Sequence, residues 1–456
     1  MKLVLLSGGS GKRLWPLSND SRSKQFLKVL RHRDGHLESM LQRVWGQLKM
    51  HGLAENASIA TGKAQLDMIL NQLGPDASVI IEPERRDTFP AIALACVYLY
   101  SIEGVGLNET IAILPVDPYV EDDFFARVKQ LEDVLEESGA ELALLGVQPT
   151  YPSEKYGYIV PRRKKADETR CWFDVAHFEE KPGRDRAEEL MAQQAWWNCG
   201  VFAFRLDYMI NRLIQLGLPI QYDEMMLQYG KLPKISFDYA VVEKANRIAV
   251  LPYEGTWKDL GTWNTLTEEI DVPLIGKGTI SDDCSRVHVI NELDIPIAVL
   301  GVHNLIISAS PDGILVADKQ ASPRLKEAIS HLDQRPMYEE RRWGSYRVLD
   351  YKRFEDGREV LTKRIRIAAG KNLSYQLHYK RTEVWTILSG EGDFVLDGRL
   401  SRVKAGDVVQ IPARAKHSIR ANTDLELIEV QSGSELTEED IIRLNMIWEE
   451  IVELCK

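Results

Sequence analysis

The chain has 456 residues, 44% of them hydrophobic, and its 57 basic and 68 acidic side chains give a formal charge of −11. That length calls for roughly two or three domains, and the acidic balance excludes a broad nucleic-acid surface while leaving room for a local basic pocket that holds phosphates. Five scattered cysteines without a C-x-x-C pair argue against a disulfide framework or a structural zinc site and fit a reducing cytoplasm. The apolar run Leu3–Leu6 is too short for a signal peptide, and no stretch reaches the length of a membrane span. The expectation is a soluble, cytoplasmic protein with no membrane partner.

Short apolar runs at Leu3–Ser7, Ala57–Thr61, Val79–Glu82, Ile111–Leu114 and Leu142–Val147 read as buried strands. Between them, Glu38–Met50, Ala64–Leu73 and Pro90–Ile102 carry apolar residues at helical spacing. Strands separated by helices predict a mostly parallel α/β sheet, Rossmann-like, whose ligands bind beyond the carboxyl ends of the strands. The loops after Leu6, Ile81 and Leu114 are therefore the informative ones. From about Tyr151 to Asp271 the pattern turns irregular, as for an insertion that completes a site. Residues 1–272 are expected to form this first domain.

Strand-like pieces at Ile297–Leu300, Leu305–Ser308 and Ile314–Ala317, then a helix over Pro323–His331, predict a connecting β module across 273–335. Residues 336–456 are expected to form a last domain, in which the stretch from about Arg341 to Gly433 alternates strands with Gly-containing turns, as in a small all-β barrel. After Leu436, Thr437-Glu-Glu-Asp reads as a capping box opening a terminal helix.

The first loop, Leu6-Ser-Gly-Gly-Ser-Gly-Lys-Arg-Leu-Trp-Pro-Leu-Ser18 followed by Ser23-Lys-Gln-Phe26, brings small residues to the end of a strand, where backbone N–H groups can approach phosphates. Its spacing fits neither a P-loop, which needs Gly where Leu6 stands, nor a dinucleotide fingerprint, which needs Gly where Leu14 stands. What remains is a loop carrying Arg13 and Lys24 as fixed positive charges, suited to a triphosphate.

Leu6–Phe26 resembles the signature of sugar nucleotidyltransferases, particularly of mannose-1-phosphate guanylyltransferases. The resemblance runs along essentially the whole chain, through Glu82-Pro83, Arg86-Asp87-Thr88, Leu114-Pro-Val-Asp117, Tyr156-Gly-Tyr158, Glu180-Lys-Pro182, Trp197-Asn-Cys-Gly-Val-Phe202, Asp238–Lys244 and Trp257-Lys-Asp-Leu-Gly261. With Trp343-Gly-Ser-Tyr346 and the barrel, it is nearest the long bacterial form, which can also carry mannose-6-phosphate isomerase activity. The resemblance implies transfer of a nucleotidyl group from GTP to mannose 1-phosphate, with release of pyrophosphate. It implies Asp117 and Asp259 as Mg²⁺ ligands, Arg13 and Lys24 on the triphosphate, and Lys181 on the sugar phosphate. Gly157, Glu180 and Asn198 would lie near the hexose. Leu6, Gly8, Gly9, Gly11, Glu82 and Pro83 would line the nucleotide. A homodimer is the expected assembly.

The family commonly has Thr at Lys12, Pro at Ser23, Asn at Asp87 and His at Pro118. These departures keep another hexose or a heptose 1-phosphate open as substrate, and a non-catalytic sugar-nucleotide sensor is the competing reading. In the barrel, Gly370-x₅-Gln376-x-His378-x₄-Glu383-x₆-Gly390 and Gly406-x₅-Pro412-x₄-His417 resemble the two cupin motifs. Gln376, His378, Glu383 and His417 would then hold a borderline divalent cation such as Zn²⁺, Mn²⁺ or Co²⁺. Tyr379, Lys380 and Val384 stand where histidines are frequent in the isomerase stretch, which leaves isomerase turnover open.

Overall fold

The computed structural model describes residues 1–9, 11–19, 21–162, 170–332, 335–437 and 440–455. The chain separates into two compact units, Met1–Leu14 with Ser23–Val272, and Trp15–Arg22 with Pro273–Lys456. Among the described residues no helix is long and apolar enough to cross a membrane.

The first unit is built on one nine-stranded sheet. Its strands are β1 (Lys2–Ser7), β2 (Ala57–Gly62), β3 (Ser78–Glu82), β4 (Thr110–Pro115), β5 (Leu142–Val147), β6 (Tyr158–Pro161), β7 (Phe173–Glu179), β8 (Trp196–Arg205) and β9 (Ile248–Tyr253), in the order β3-β2-β1-β4-β8-β5-β9-β7-β6. β3, β2, β1 and β4 run parallel, as do β5 and β9; β8 lies antiparallel between β4 and β5. The five strands expected from the apolar runs all form, and the irregular stretch after Tyr151 supplies the rest of the same sheet.

Alternation explains why these strands are apolar throughout. Leu3 and Leu5 enter one core and Val4 the other; Ala112 and Leu114 oppose Ile111 and Ile113, and Ala143 and Leu145 oppose Leu142 and Leu144. A strand buried on both faces has no polar side to show. Helices cover both faces, including Met40–Met50, Leu66–Leu73, Thr88–Ser101 and Asp123–Ser138. The first is opened by a capping box in which the Ser39 hydroxyl accepts from the Gln42 amide and the Gln42 side chain accepts from the Ser39 amide, a pairing whose Ser alone contributes about 1 kcal/mol.

In the second unit, Leu274–Ile275, His288–Asn291 and Leu305–Ser310 pair in parallel, Gly278–Ile280 pairs in parallel with Ile297–Val299, and Gly313–Asp318 closes the ladder antiparallel. Val287, Val289 and Val299 fill the interior of this short-strand coil. Trp15–Arg22, the middle of the glycine-rich loop, is tied down here: Ser310 Oγ donates to the Pro16 carbonyl at 2.6 Å and Asn19 Nδ2 to Asp312 Oδ2 at 2.7 Å. The helix expected over Pro323–His331 is shorter, a 3-10 turn at Ser322–Arg324 continuing into Leu325–Ala328.

The barrel consists of a six-stranded and a five-stranded sheet around one apolar core. One expectation fails here. Ile441–Asn445 is not the start of a helix but a strand pairing antiparallel with Tyr375–His378, and the terminal helix is confined to Trp448–Glu453. The capping box at Thr437–Asp440 includes residues 438 and 439, which lie outside the described residues. Ile442 and Leu444 are on the exposed side, so helical spacing of apolar residues misread a half-exposed edge strand.

Candidate active site and metal centre

Beyond the carboxyl ends of β1 and β4, the first unit gathers charge. Asp117 lies two residues beyond β4, and Pro118–Val120 pairs antiparallel with Trp257–Asp259 in a register that sets Asp259 opposite Pro118. Two carboxylates far apart in sequence are thereby brought to one cation: Lys24 Nζ is 2.7 Å from Asp117 Oδ2 and 3.0 Å from Asp259 Oδ1. Burial alone would lower the Lys24 pKa, but the two carboxylates outweigh it and hold the ammonium well above the ordinary lysine value. Burial likewise opposes ionisation of Asp259, yet Lys24, then Arg13 and the Gly261 amide, keep its carboxyl below the usual range. Gly261 leaves room for this arrangement: a Cβ there would stand 2.9 Å from Asp259 Oδ1 and 3.2 Å from Lys24 Nζ and would push one of them aside. Oxygen donors that already share one cation suit a hard divalent ion such as Mg²⁺.

Lys24 sits in a 3-10 turn, Lys24–Phe26, fixed by a buried polar network that sequence reasoning missed. Gln25 Nε2 donates to Ser7 Oγ at 3.1 Å, Gln65 Nε2 to Ser23 Oγ at 2.8 Å, and Thr61 Oγ1 to Gln65 Oε1 at 3.1 Å. Both glutamines are buried, so their amides must find partners inside the protein, and nothing in the sequence marks them as buried. On the loop itself, Leu6, the residue before the end of β1, is half-buried, Gly8 and Gly9 are exposed, and Gly11 opens the 3-10 turn that carries the exposed Arg13. Gly9 has φ +139°, a conformation that favours glycine. At the end of β3, Glu82 is buried and accepts from Tyr229 Oη at 2.7 Å; burial raises its pKa despite that bond. Pro83 beside it is exposed. Asp87 caps the next helix with φ +73°, its side chain accepting from the Thr88 amide at 2.8 Å.

A second cluster lies along the same sheet. A Cβ on Gly157 would collide with Glu180 Oε2, so only glycine allows the close approach. Lys181 Nζ pairs with Glu180 Oε1 at 2.5 Å, and the other Glu180 oxygen is buried without a hydrogen-bond partner. The Asn198 amide N–H donates to the Gly157 carbonyl at 2.8 Å, and its Nδ2 donates to Asp238 Oδ1 at 2.7 Å. Asp238, to which no role was assigned from sequence, is pushed up to about 6 by burial and then by the Glu180 carboxylate. Tyr156 links the two clusters: its ring lies 5.0 Å from Trp197 and 5.3 Å from Trp257, and burial, then the Asp259 carboxylate, raise its pKa.

Inside the barrel, Tyr375–His378 and His417–Ala421 belong to one sheet, with Gln376 opposite His417, while Glu383 comes from the other. His378 Nε2 is 3.1 Å from Glu383 Oε1, His417 Nε2 is 3.6 Å from Glu383 Oε2, and all three residues are buried. Gln376 Nε2 stands 3.4 Å from His378 Nε2. His417 Nδ1 faces the Ala415 carbonyl at 3.0 Å, leaving its buried Nε2 without a hydrogen-bond partner. An imidazole fixed through one nitrogen with the other aimed at a carboxylate is the arrangement a metal ligand needs, and the N/O donor set fits a borderline divalent cation. Burial lowers the His417 pKa, which favours the neutral, ligating form. Burial would raise Glu383, but His378, His417 and Arg381 hold it well below the carboxylate range. Tyr379, Lys380 and Val384, where histidines were expected, are all exposed, so those departures leave the buried donor set untouched.

This pairing of an open, lysine-bridged carboxylate site on an α/β sheet with a buried His/Glu/His cluster in a β barrel defines a nucleotidyl-transferring enzyme with a cupin attached. Residues 2–272 match the nucleotidyl transferase family and residues 330–446 the mannose-6-phosphate isomerase C-terminal family. The chain belongs to the nucleotidyl transferase family. It is 30% identical to a mannose-1-phosphate guanylyltransferase of Salmonella montevideo, covering 97% of this chain and 98% of that protein. It is also 30% identical to the alginate biosynthesis protein AlgA of Pseudomonas putida, covering 98% and 96%. Among solved structures, a Thermus thermophilus protein described as a mannose-1-phosphate geranyltransferase superposes with a TM-score of 0.62 at 28% identity, covering 73% of this chain and 99% of that one.

Proposed function

We propose that this protein transfers the guanylyl group of GTP to mannose 1-phosphate, giving GDP-mannose and pyrophosphate. The observation that carries the reading is Lys24 held between Asp117 and Asp259 at the end of the parallel strands. A sugar-phosphate oxygen attacks the α-phosphorus in line, and pyrophosphate leaves from the opposite side. Both reactants are anions, so catalysis here consists of positioning and charge neutralisation. Asp117 and Asp259 would hold Mg²⁺, which when bound supplies positive charge to the phosphate oxygens. Lys24 and Arg13 face the triphosphate and the departing pyrophosphate, and Lys181 the phosphate of the sugar. Glu180, Asn198 and Gly157 offer acceptors and a carboxylate to hexose hydroxyls. Leu6, Gly8, Gly9, Gly11, Glu82 and Pro83 border the nucleotide. The cytoplasm is the compartment in which such substrates are met.

A second activity is favoured by the buried His378–Glu383–His417 cluster, whose orphaned His417 nitrogen supports a bound divalent cation. We read this barrel as a mannose-6-phosphate isomerase in which His378, Glu383 and His417 would hold Zn²⁺, Mn²⁺ or Co²⁺, an ion that when bound would supply Lewis acidity to an open-chain carbonyl. Interconversion of fructose 6-phosphate and mannose 6-phosphate, measured with each metal added, tests it.

The transfer reading is tested by pyrophosphate release across a grid of nucleoside triphosphates and sugar 1-phosphates with Mg²⁺. Signal confined to GTP with mannose 1-phosphate is expected. Signal with another pair keeps the chemistry and changes the substrate, directing attention to Lys12, Asp87 and Pro118; silence throughout overturns the reading in favour of a sensor.

A further inference from the structure

The second unit contains a cavity of about 280 Å³ that none of these reactions uses, lined by Arg22, Glu292, Asp294, Tyr338, Tyr346, Arg347, Arg364 and Arg366 among others. The lining carries four arginines and two carboxylates, with Glu426 outside it shared by Arg364 and Arg366 and Glu340 acting on Arg22. The cations are incompletely matched. Arg22 is only 8% exposed; its Nη1 meets Glu292 at 2.9 Å, but its buried Nε has no hydrogen-bond partner. The buried Nε of Arg364 likewise makes no hydrogen bond, although Glu426 Oε1 lies 3.5 Å away, and Arg366 leans on the same Glu426 oxygen at 3.3 Å. Arg347 shares Asp294 at 3.3 Å. Burying guanidinium N–H groups without acceptors is costly, and planar guanidinium forks match phosphate oxygens.

We propose that this cavity is a binding site for the phosphate group of a small anion, separate from the transfer and cupin chemistry. Its volume falls just short of the roughly 300 Å³ at which drug-sized ligands begin to fit, which suits a small phosphorylated compound rather than a nucleotide sugar. Ser345 and the two tyrosines at its wall give hydroxyls for the rest of such a ligand.

The test is calorimetric binding of inorganic phosphate and, separately, of glycerol 3-phosphate, which neither proposed reaction uses, to the full chain and to two charge variants outside the transfer machinery. The double variant Arg347→Gln/Arg364→Gln is expected to weaken phosphate binding at least tenfold. Asp294→Asn removes a competing carboxylate from Arg347 and is expected to tighten it severalfold, an effect that a misfolded protein cannot imitate. Equal affinity for the two ligands assigns the site to free phosphate, and tighter binding of the ester assigns it to a phosphate ester. No saturable binding, or binding that neither variant changes, overturns the proposal. Because the readout is binding, it stands or falls apart from the transfer assay.

Discussion

The two cation-seeking sites of this chain solve one electrostatic problem in opposite ways. In the transferase unit Lys24, Asp117 and Asp259 have side chains 20%, 23% and 33% exposed, and the positive charge that holds the carboxylates together is a flexible ammonium. In the barrel, His378, Glu383 and His417 are no more than 2% exposed, and Glu383 is held by the Arg381 guanidinium, the Trp385 indole and the Gln431 amide. An open site must exchange anionic substrates each turnover, so a partly exposed lysine and water-accessible carboxylates serve it. A buried site must keep one ion in one geometry, so its donors are fixed by a surrounding shell before any ion arrives.

That contrast predicts which substitutions matter most. Lys24→Gln removes the only described ammonium touching both carboxylates, and kcat for pyrophosphate release should fall by about 10²–10³, the usual loss when one charge-stabilising group is removed. The barrel metal content of that variant, read by elemental analysis, should not change. Gly261→Ala drives a methyl against Asp259 and Lys24; roughly tenfold lower kcat/KM with an almost unaltered Tm is expected, since a misplacement of about 1 Å is costly to catalysis. A structural role alone would instead lower Tm.

A smaller, pH-dependent effect belongs to Asp238. Its folded pKa of about 6 lies above the ordinary carboxylate value, so it contributes stability at low pH that is lost as pH rises through about 6. The ionised form accepts from Asn198, so kcat/KM for the sugar 1-phosphate should rise severalfold across the same interval, and Asp238→Asn should flatten that step. The least effect is expected at Glu429 in the barrel, pushed up to about 8 by burial and by Glu383. Its stability contribution is lost progressively as pH climbs from the ordinary carboxylate value through about 8; the folded group is still protonated at pH 7, so Glu429→Gln, which mimics the neutral acid, should keep both Tm and bound metal there. Metal lost from Glu429→Gln would mean that Glu429, not Glu383 alone, is a ligand.

Much of this was legible in sequence because the strands are buried on both faces, so the runs around Leu5, Ile59, Ile113 and Leu144 stand out without alternation. Resemblance to family motifs also singled out Lys24, Asp117, Asp259, His378, Glu383 and His417. The juxtaposition of Lys24 with both aspartates was not legible, because it depends on the pairing of Asp259 with Pro118 across a two-stranded ladder. Asp238 and the Gln25–Gln65 network were hidden for a related reason: their roles come from partners supplied by distant elements. The strand at Ile441–Asn445 was lost because a half-exposed edge strand and a short amphipathic helix carry similar apolar spacing.

The most direct test of the account is Mg²⁺-dependent pyrophosphate release from GTP and mannose 1-phosphate by Asp259→Asn, alongside wild-type protein and a measurement of barrel metal. Loss of transfer with fold and barrel metal retained is the predicted result. Normal transfer by Asp259→Asn would contradict the assignment of the lysine-bridged carboxylates as the transfer centre.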